Sequence, residues 1–396
     1  MTAIPRYRAT RAPAILSAGF RPFFLLSALW AAVAVPFWLL LLRGEAVLPI
    51  AMPPVLWHGH EMIFGFGLAT VAGFLFTAVP NWTGRMPLQG APLAVLVLLW
   101  LVGRAAMLLA GGLLLYARAV PVLAFPAVLT AAIGREILAG RNWRNLPVLD
   151  ALGLLLLADA LTQIGAARDL ALAMAGLRLG VATLVGLITL VGGRIIPSFS
   201  RNWLLRRDHN ALPAPFGRVD RVVLTTSFAA LMLWVVAPAS DAASALLVAA
   251  GVGHLLRLAR WRGLATLPEP LLAVLHLGYA WVAVGMVLLG ASGWGVLPPS
   301  AALHAVTVGA IGTMTLAVMA RASLGHTGQA LTAGAGCTTV FVLVSIAAVL
   351  RVLAPIVPGD YALMLDLSGT AWSGAFLLFV VLVARLLAAP RRRGEG

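Results

Sequence analysis

The sequence predicts an all-α membrane protein, and three observations predict it. Apolar residues make up 61% of the 396-residue chain and charged residues only 10%, so a fold in water would leave more apolar surface than its core could cover. Apolar runs of about 20 residues, the length that crosses a hydrocarbon layer about 30 Å thick, recur from end to end. Basic residues gather at the ends of those runs. The expectation is a single transmembrane domain over 1–396, a polytopic bundle of about twelve helices with the lipid bilayer as its partner.

Taken in order, with Arg, Pro and Gly as boundaries, the runs place helices 1 to 6 at 22–42, 54–79, 92–115, 119–138, 146–164 and 170–196. Helix 1 lies between Arg21 and Arg43, helix 2 opens on Pro53-Pro54, where proline suits a first turn, and helix 6 stops before Pro197. Helices 7 to 12 follow at 221–239, 241–258, 270–291, 297–319, 333–357 and 361–387. Ser198 to Arg221, the longest polar segment, reads as a connector. The stretch Met1 to Ala18 carries Arg6, Arg8 and Arg11 but no short apolar run with a cleavage site, so helix 1 is expected to remain as an anchor.

Charge order gives orientation, because positive segments are retained on the cytoplasmic side. The N-terminus, the even-numbered connections and the C-terminus, with their helix ends, hold 22 of the 28 arginines, Arg391 to Arg393 among them. The odd connections hold Arg43, Arg118 and Arg168, while Arg104, Arg178 and Arg351 fall inside helices. Both termini are therefore expected in the cytoplasm. The net charge of +15 reads as topology rather than a nucleic-acid footprint, and the use of Arg with no Lys suggests a GC-rich bacterial genome. The single cysteine, Cys337, excludes an internal disulfide and a thiolate-built zinc or iron–sulfur site.

Helices 2, 6 and 10 are each rich in Gly and Thr and run into related polar exits, at Pro80–Gly84, Pro197–Trp203 and Ser323–Gly328. A spacing of four helices suggests three pseudo-symmetric four-helix units, although small residues also serve close helix packing by themselves.

An ionisable group inside the bilayer costs about 2.5–3.5 kcal/mol on insertion scales, so each one needs a partner or a purpose. The predicted topology puts His58, His60 and His304 in the outer half, together with Arg104, Arg178, Arg351, Asp159 and Asp366. Residues two apart on a regular helix point about 200° from each other, so His58 and His60 are expected to serve different partners. His58 shares a face with Glu61 and Met62; His60 shares one with Phe64 and Gly67, whose small side leaves room for a flat macrocycle. Imidazole suits haem iron and copper equally in a chain without thiolate sites, and arginines at the same depth suit haem propionates. Interhelical hydrogen bonding is the plainer account of any single histidine. Toward the cytoplasm, His276 is a further ligand candidate, His254 is expected to snorkel to the interface, His326 lies beyond a helix end, and His209 reads as a solvated loop residue.

No phosphate-cradling loop, nucleophile elbow or H-E-x-x-H is present, which speaks against hydrolase chemistry. A secondary transporter of a small anion or metal complex competes, since broken Gly/Pro segments and buried charges are typical of that class.

At Gly19-Phe20-Arg21-Pro22-Phe23-Phe24, at Trp57-His58-Gly59-His60-Glu61-Met62-Ile63-Phe64-Gly65-Phe66 and at Gly73 to Gly84, the sequence resembles the NnrS family. The likeness continues through Gly193 to Phe199, His276 to Trp281 and His304 to Leu316, and ends at Gly325-His326-Thr327-Gly328. This resemblance implies a bacterial inner-membrane protein containing haem, taken as b-type, and copper, associated with nitric oxide metabolism and nitrosative stress. The chain is also similar, in placing histidines on helices 2 and 10, to the catalytic subunit of haem–copper oxidases and related nitric oxide reductases. It lacks histidines on helices 6 and 7, so the three-histidine copper site of those enzymes does not carry over.

The resulting expectation is a protein that binds or reduces nitric oxide in the outer half of the membrane, with an oxidoreductase of nitric oxide reductase type as the enzymatic form. His60 and His304 are the first choices for haem ligands, His58 for a neighbouring copper or second haem, Arg104, Arg178 and Arg351 for propionates. Glu61 and Asp159 would relay protons, and a quinol or another membrane donor would supply electrons. A non-catalytic nitric oxide sensor or metal chaperone is the alternative within the same chemistry.

Overall fold

The computed structural model describes residues 12–47, 49–50, 52–109 and 115–390. Twelve of its helices are long and apolar enough to cross a membrane, and no strand occurs among the described residues. They are α1 (Phe20–Arg43), α2 (Pro54–Thr83), α3 (Ala91–Leu109), α4 (Leu115–Ala139), α5 (Leu146–Arg168) and α6 (Leu170–Leu205), then α7 (Arg218–Val236), α8 (Asp241–Ala259), α9 (Pro270–Gly293), α10 (Pro299–Thr327), α11 (Ala335–Leu353) and α12 (Tyr361–Ala388). The terminal arginines Arg6, Arg8, Arg11 and Arg391 to Arg393 lie outside the described residues.

The starts and stops follow local chemistry. Pro54, Pro270 and Pro299 sit in first turns, where their missing N–H costs nothing. The Ser240 hydroxyl accepts from the Ala243 N–H at 3.2 Å to cap α8. Gly44 and Gly84 end α1 and α2 in the left-handed region, at φ 72° and 70°.

The three polar exits of α2, α6 and α10 prove to be helical, so these helices run further than the apolar pattern predicts. Their side chains turn back onto the preceding turn instead of leaving it: Thr77 donates to Gly73 O at 3.0 Å, Asn81 to Thr77 O at 2.9 Å and Thr327 to Ser323 O at 2.7 Å. The expected connector from Ser198 shrinks accordingly to residues 206–217.

These same three helices each contain a π-helical stretch, at Glu61–Gly67, Ile188–Gly192 and Ala305–Gly312. His60 immediately precedes the first of them and His304 the last; Leu187 holds that place in α6. Such wide turns are rare and recur at functional sites.

The chain divides into two compact units, one comprising residues 1–180, 322–329 and 380–396, the other 181–321 and 330–379. In the first unit α1 packs along α2, α2 against α4, and α4 against both α3 and α5. Gly73 admits the Phe24 ring, which a Cβ there would meet at 2.7 Å, and Phe23 packs on Phe76 and Phe125. Arg21, buried rather than solvated, donates to Leu387 O and Ala389 O at 2.8 and 2.6 Å and so ties the start of α1 to the end of α12. In the second unit α8 packs on α7 and α9, and α10 on α9 and α11. The α8–α9 approach is set at Gly251, where a Cβ would lie 2.7 Å from Ala283 O.

Candidate functional site

In the first unit the residues expected to be costly in lipid are brought together. His60 is fully buried on α2, with Nδ1 2.9 Å from Glu61 Oε1 and Nε2 2.9 Å from Asp159 Oδ1 of α5. Arg104 of α3 reaches the other side of Glu61, its Nη1 lying 2.6 and 2.7 Å from the two carboxylate oxygens. Gln163, one turn beyond Asp159, places Nε2 3.0 Å from His60 Nε2 and accepts from Arg118 Nε at 3.0 Å. Two carboxylates, two guanidiniums and an imidazole thus form one continuous network, every member 5% exposed or less. A neutral imidazole has one N–H to donate, so between two acceptors it satisfies one of them.

Several of these placements differ from the sequence reading. Glu61, expected on the His58 face, pairs instead with His60, at the point where the helix widens into its π stretch. Arg118, read as a loop charge, lies inside α4 and is buried against Gln163. Gln163 went unnoticed, although its i+4 spacing from Asp159 puts both on one face.

The first unit also holds buried polar atoms without a hydrogen-bond partner among the described residues. Trp30 Nε1, Trp38 Nε1, Trp57 Nε1 and Arg104 Nε have no hydrogen-bond partner among the described residues, and neither has Asp159 Oδ2. The bare Cα of Gly65 lets Trp30, Arg104 and Glu61 converge, since a Cβ would meet Trp30 Nε1 at 2.7 Å and both charged groups at 2.9 Å. His58 and His60 do take different partners: His58 stacks on Trp38 at 4.1 Å between centroids, whereas the His60 ring lies 5.2 Å from Phe64. Arg178 sits half-buried on α6.

In the second unit His304 is half-buried on α10, and Ser300 one turn earlier organises its surroundings. His304 Nδ1 lies 2.7 Å from Ser300 O, so Nδ1 carries the proton and Nε2 the lone pair, the tautomer of a metal-ligating histidine. Arg351, 6% exposed, donates Nη2 to Ser300 Oγ at 3.0 Å, and its Nη1 has no hydrogen-bond partner among the described residues. The structure therefore joins His304 and Arg351 through a serine that the sequence reading passed over; its i−4 spacing was the available signal. Asp366 is half-buried on α12.

The second group of histidines is also resolved. His276 is buried, with Nε2 3.3 Å from Ser200 Oγ and Nδ1 without a partner among the described residues. His254 does not snorkel: it is fully buried between Ser227 Oγ and the Tyr279 hydroxyl, each 2.8 Å away, because these partners satisfy it without water. Arg257, counted among the cytoplasmic charges, is likewise buried and pairs with Asp220 at 3.0 Å. His326 falls within the last turn of α10 and packs on Phe20. His209 is exposed in the connector after α6.

Twelve apolar helices with titratable side chains buried inside their spans define a multi-pass membrane protein. Within that class, residues 14–391 match the NnrS protein family, so the chain belongs to that family. Comparison with individual curated proteins gives no match.

Proposed function

We propose that this is a haem-binding protein of the bacterial inner membrane that binds nitric oxide and handles the protons of its reduction. Membership of the NnrS family supports a membrane protein of the nitric oxide response. The observation that carries the reading is His60, sealed from solvent between two carboxylates at 2.9 Å inside a transmembrane span. Reduction of nitric oxide to nitrous oxide consumes protons, and a buried carboxylate–imidazole–carboxylate chain supplies them.

The residues present fit haem. His304 is an imidazole whose Nδ1 is turned to the Ser300 carbonyl, and Arg351, bonded to the hydroxyl of that serine, keeps Nη1 without a hydrogen-bond partner among the described residues. The indole and guanidinium donors of the first unit that have no partner among the described residues suit an acceptor-rich anion. Bound iron would supply a ligand position for nitric oxide and one-electron chemistry. We assign His304 of the second unit as the first ligand, with Arg351 of the same unit for a propionate; in the first unit Arg104 and Arg178 are further cations for an anion, and Asp159, His60 and Glu61 serve proton transfer. For His60 to ligate through Nε2, Asp159 and Gln163 would have to give way, which leaves it second to His304. For copper, also implied by the family and assigned on sequence to His58, no group of three His, Cys, Asp or Glu side chains is poised among the described residues. Electrons would come from a quinol or another membrane donor.

The test is an optical spectrum and elemental analysis of the purified protein, repeated on His304→Ala. A Soret band that shifts with nitric oxide and is lost or altered in the variant supports the reading. A colourless protein, or a band indifferent to the substitution, overturns it, and anion uptake into liposomes would then favour a transporter.

A further inference from the structure

The buried cluster at the α7–α8–α9 end of the second unit takes no part in that reading. Tyr279 is fully buried and its hydroxyl lies 2.8 Å from His254 Nδ1. The directions of the hydrogen bonds follow from what each atom can give. Ser227 Oγ donates to Val223 O at 2.6 Å, so toward His254 Nε2, 2.8 Å away, it accepts. His254 therefore carries its proton on Nε2 and presents a lone pair at Nδ1. The Tyr279 O–H donates into that lone pair, while the phenol oxygen accepts from Arg257 Nη1.

A buried phenol needs one partner. Tyr279 has a pre-oriented base, a cation and a second aromatic ring. Trp261, 2% exposed, lies 4.5 Å from it between centroids. Asp220 takes Arg257 Nε at 3.0 Å and Arg260 Nη1 at 3.4 Å, so the cation beside the phenol is counterbalanced. Losing an electron makes a phenol a strong acid, and oxidation becomes accessible in a dry interior only when a base stands ready for the proton.

We infer that Tyr279 is a redox-active tyrosine, with His254 as its proton acceptor and Trp261 as the neighbouring ring through which the electron vacancy moves. In the step, Tyr279 gives one electron to a high-potential one-electron oxidant, of the class of nitrogen dioxide or an oxidised metal centre. The O–H bond breaks and its proton passes to His254 Nδ1, leaving a neutral phenoxyl radical and an imidazolium. A one-electron donor reverses both transfers. The inference stands apart from the haem assignment.

The experiment is photo-oxidation of the purified protein by flash-generated tris(bipyridine)ruthenium(III), read by electron paramagnetic resonance and transient absorption. The wild type is expected to give a tyrosyl radical that is lost in Tyr279→Phe. In His254→Phe its formation should slow by about 10²-fold, the lower end of what a positioned base contributes, and lose its solvent isotope effect. Site-specific 3-fluorotyrosine at position 279 keeps the packing and should add fluorine hyperfine structure to the signal. A radical that survives Tyr279→Phe, lacks the fluorine splitting, or forms at an unchanged rate in His254→Phe overturns the inference.

Discussion

Arg104 directs a single nitrogen, Nη1, at both carboxylate oxygens of Glu61, 2.6 and 2.7 Å away, on side chains that are 6% and 0% exposed. With no water to replace a lost partner, the pair is far more costly to break than to omit. Arg104→Gln leaves a buried carboxylate uncompensated and should cost about 3–5 kcal/mol. The double variant Arg104→Gln/Glu61→Gln should recover much of that loss. Denaturant unfolding in detergent checks both.

Asp159 reaches the His60 ring from α5, whereas His304, the assigned iron ligand, donates to Ser300 O. Asp159→Asn should therefore leave the absorption spectrum unchanged and slow nitric oxide consumption by about 10²-fold. An electrode trace of nitric oxide loss by the reduced protein, beside its spectrum, separates these two effects.

Helix α5 is held in place by glycine on its partner. At Gly176 a Cβ would meet Ala158 O and Thr162 N at 2.7 Å, both backbone atoms of α5 that cannot step aside. Gly176→Val should destabilise by about 1–3 kcal/mol through overpacking. Gly153, exposed on α5 itself with nothing within 4 Å, is the control. There Gly153→Ala should be neutral or stabilising by about 0.5–1 kcal/mol. Thermal unfolding of the pair reads the difference.

Arg21 supplies the last carbonyls of α12 with donors that the helix itself lacks. Arg21→Ala should cost about 1.5–3 kcal/mol and fray the C-terminal turn. Faster amide exchange over residues 385–389, with the rest of α12 unchanged, is the expected result.

The alternation of arginines along the chain predicts that both ends lie in the cytoplasm. A green fluorescent protein fused at the C-terminus should fluoresce, and an alkaline phosphatase fused there should stay inactive. The opposite pair of results would reverse the orientation.

The twelve spans were legible because lipid demands long apolar runs and the chain marks their ends with Arg, Pro and Gly. Which ionisable residues would be buried was also largely legible, since depth follows from counting residues along a helix. The pairing was not. Glu61 follows His60 directly, and neighbours on a regular helix point about 100° apart, so spacing gives no sign of their contact. Arg118 and Arg257 were read as surface charges because they lie near helix ends, and only Gln163 and Asp220, from other helices, reveal them as interior groups. Polar side chains that fold back on their own helix, such as Asn81 and Thr327, likewise mimic a loop in composition.

The π stretches after His60 and His304 carry one more consequence. Each shifts the register of a membrane-spanning helix, so the residues before the stretch and those after it follow different faces of the regular pattern. Deleting a single residue there would let a regular α turn close in its place, keeping the flanking segments in phase while removing the wide turn beside the histidine.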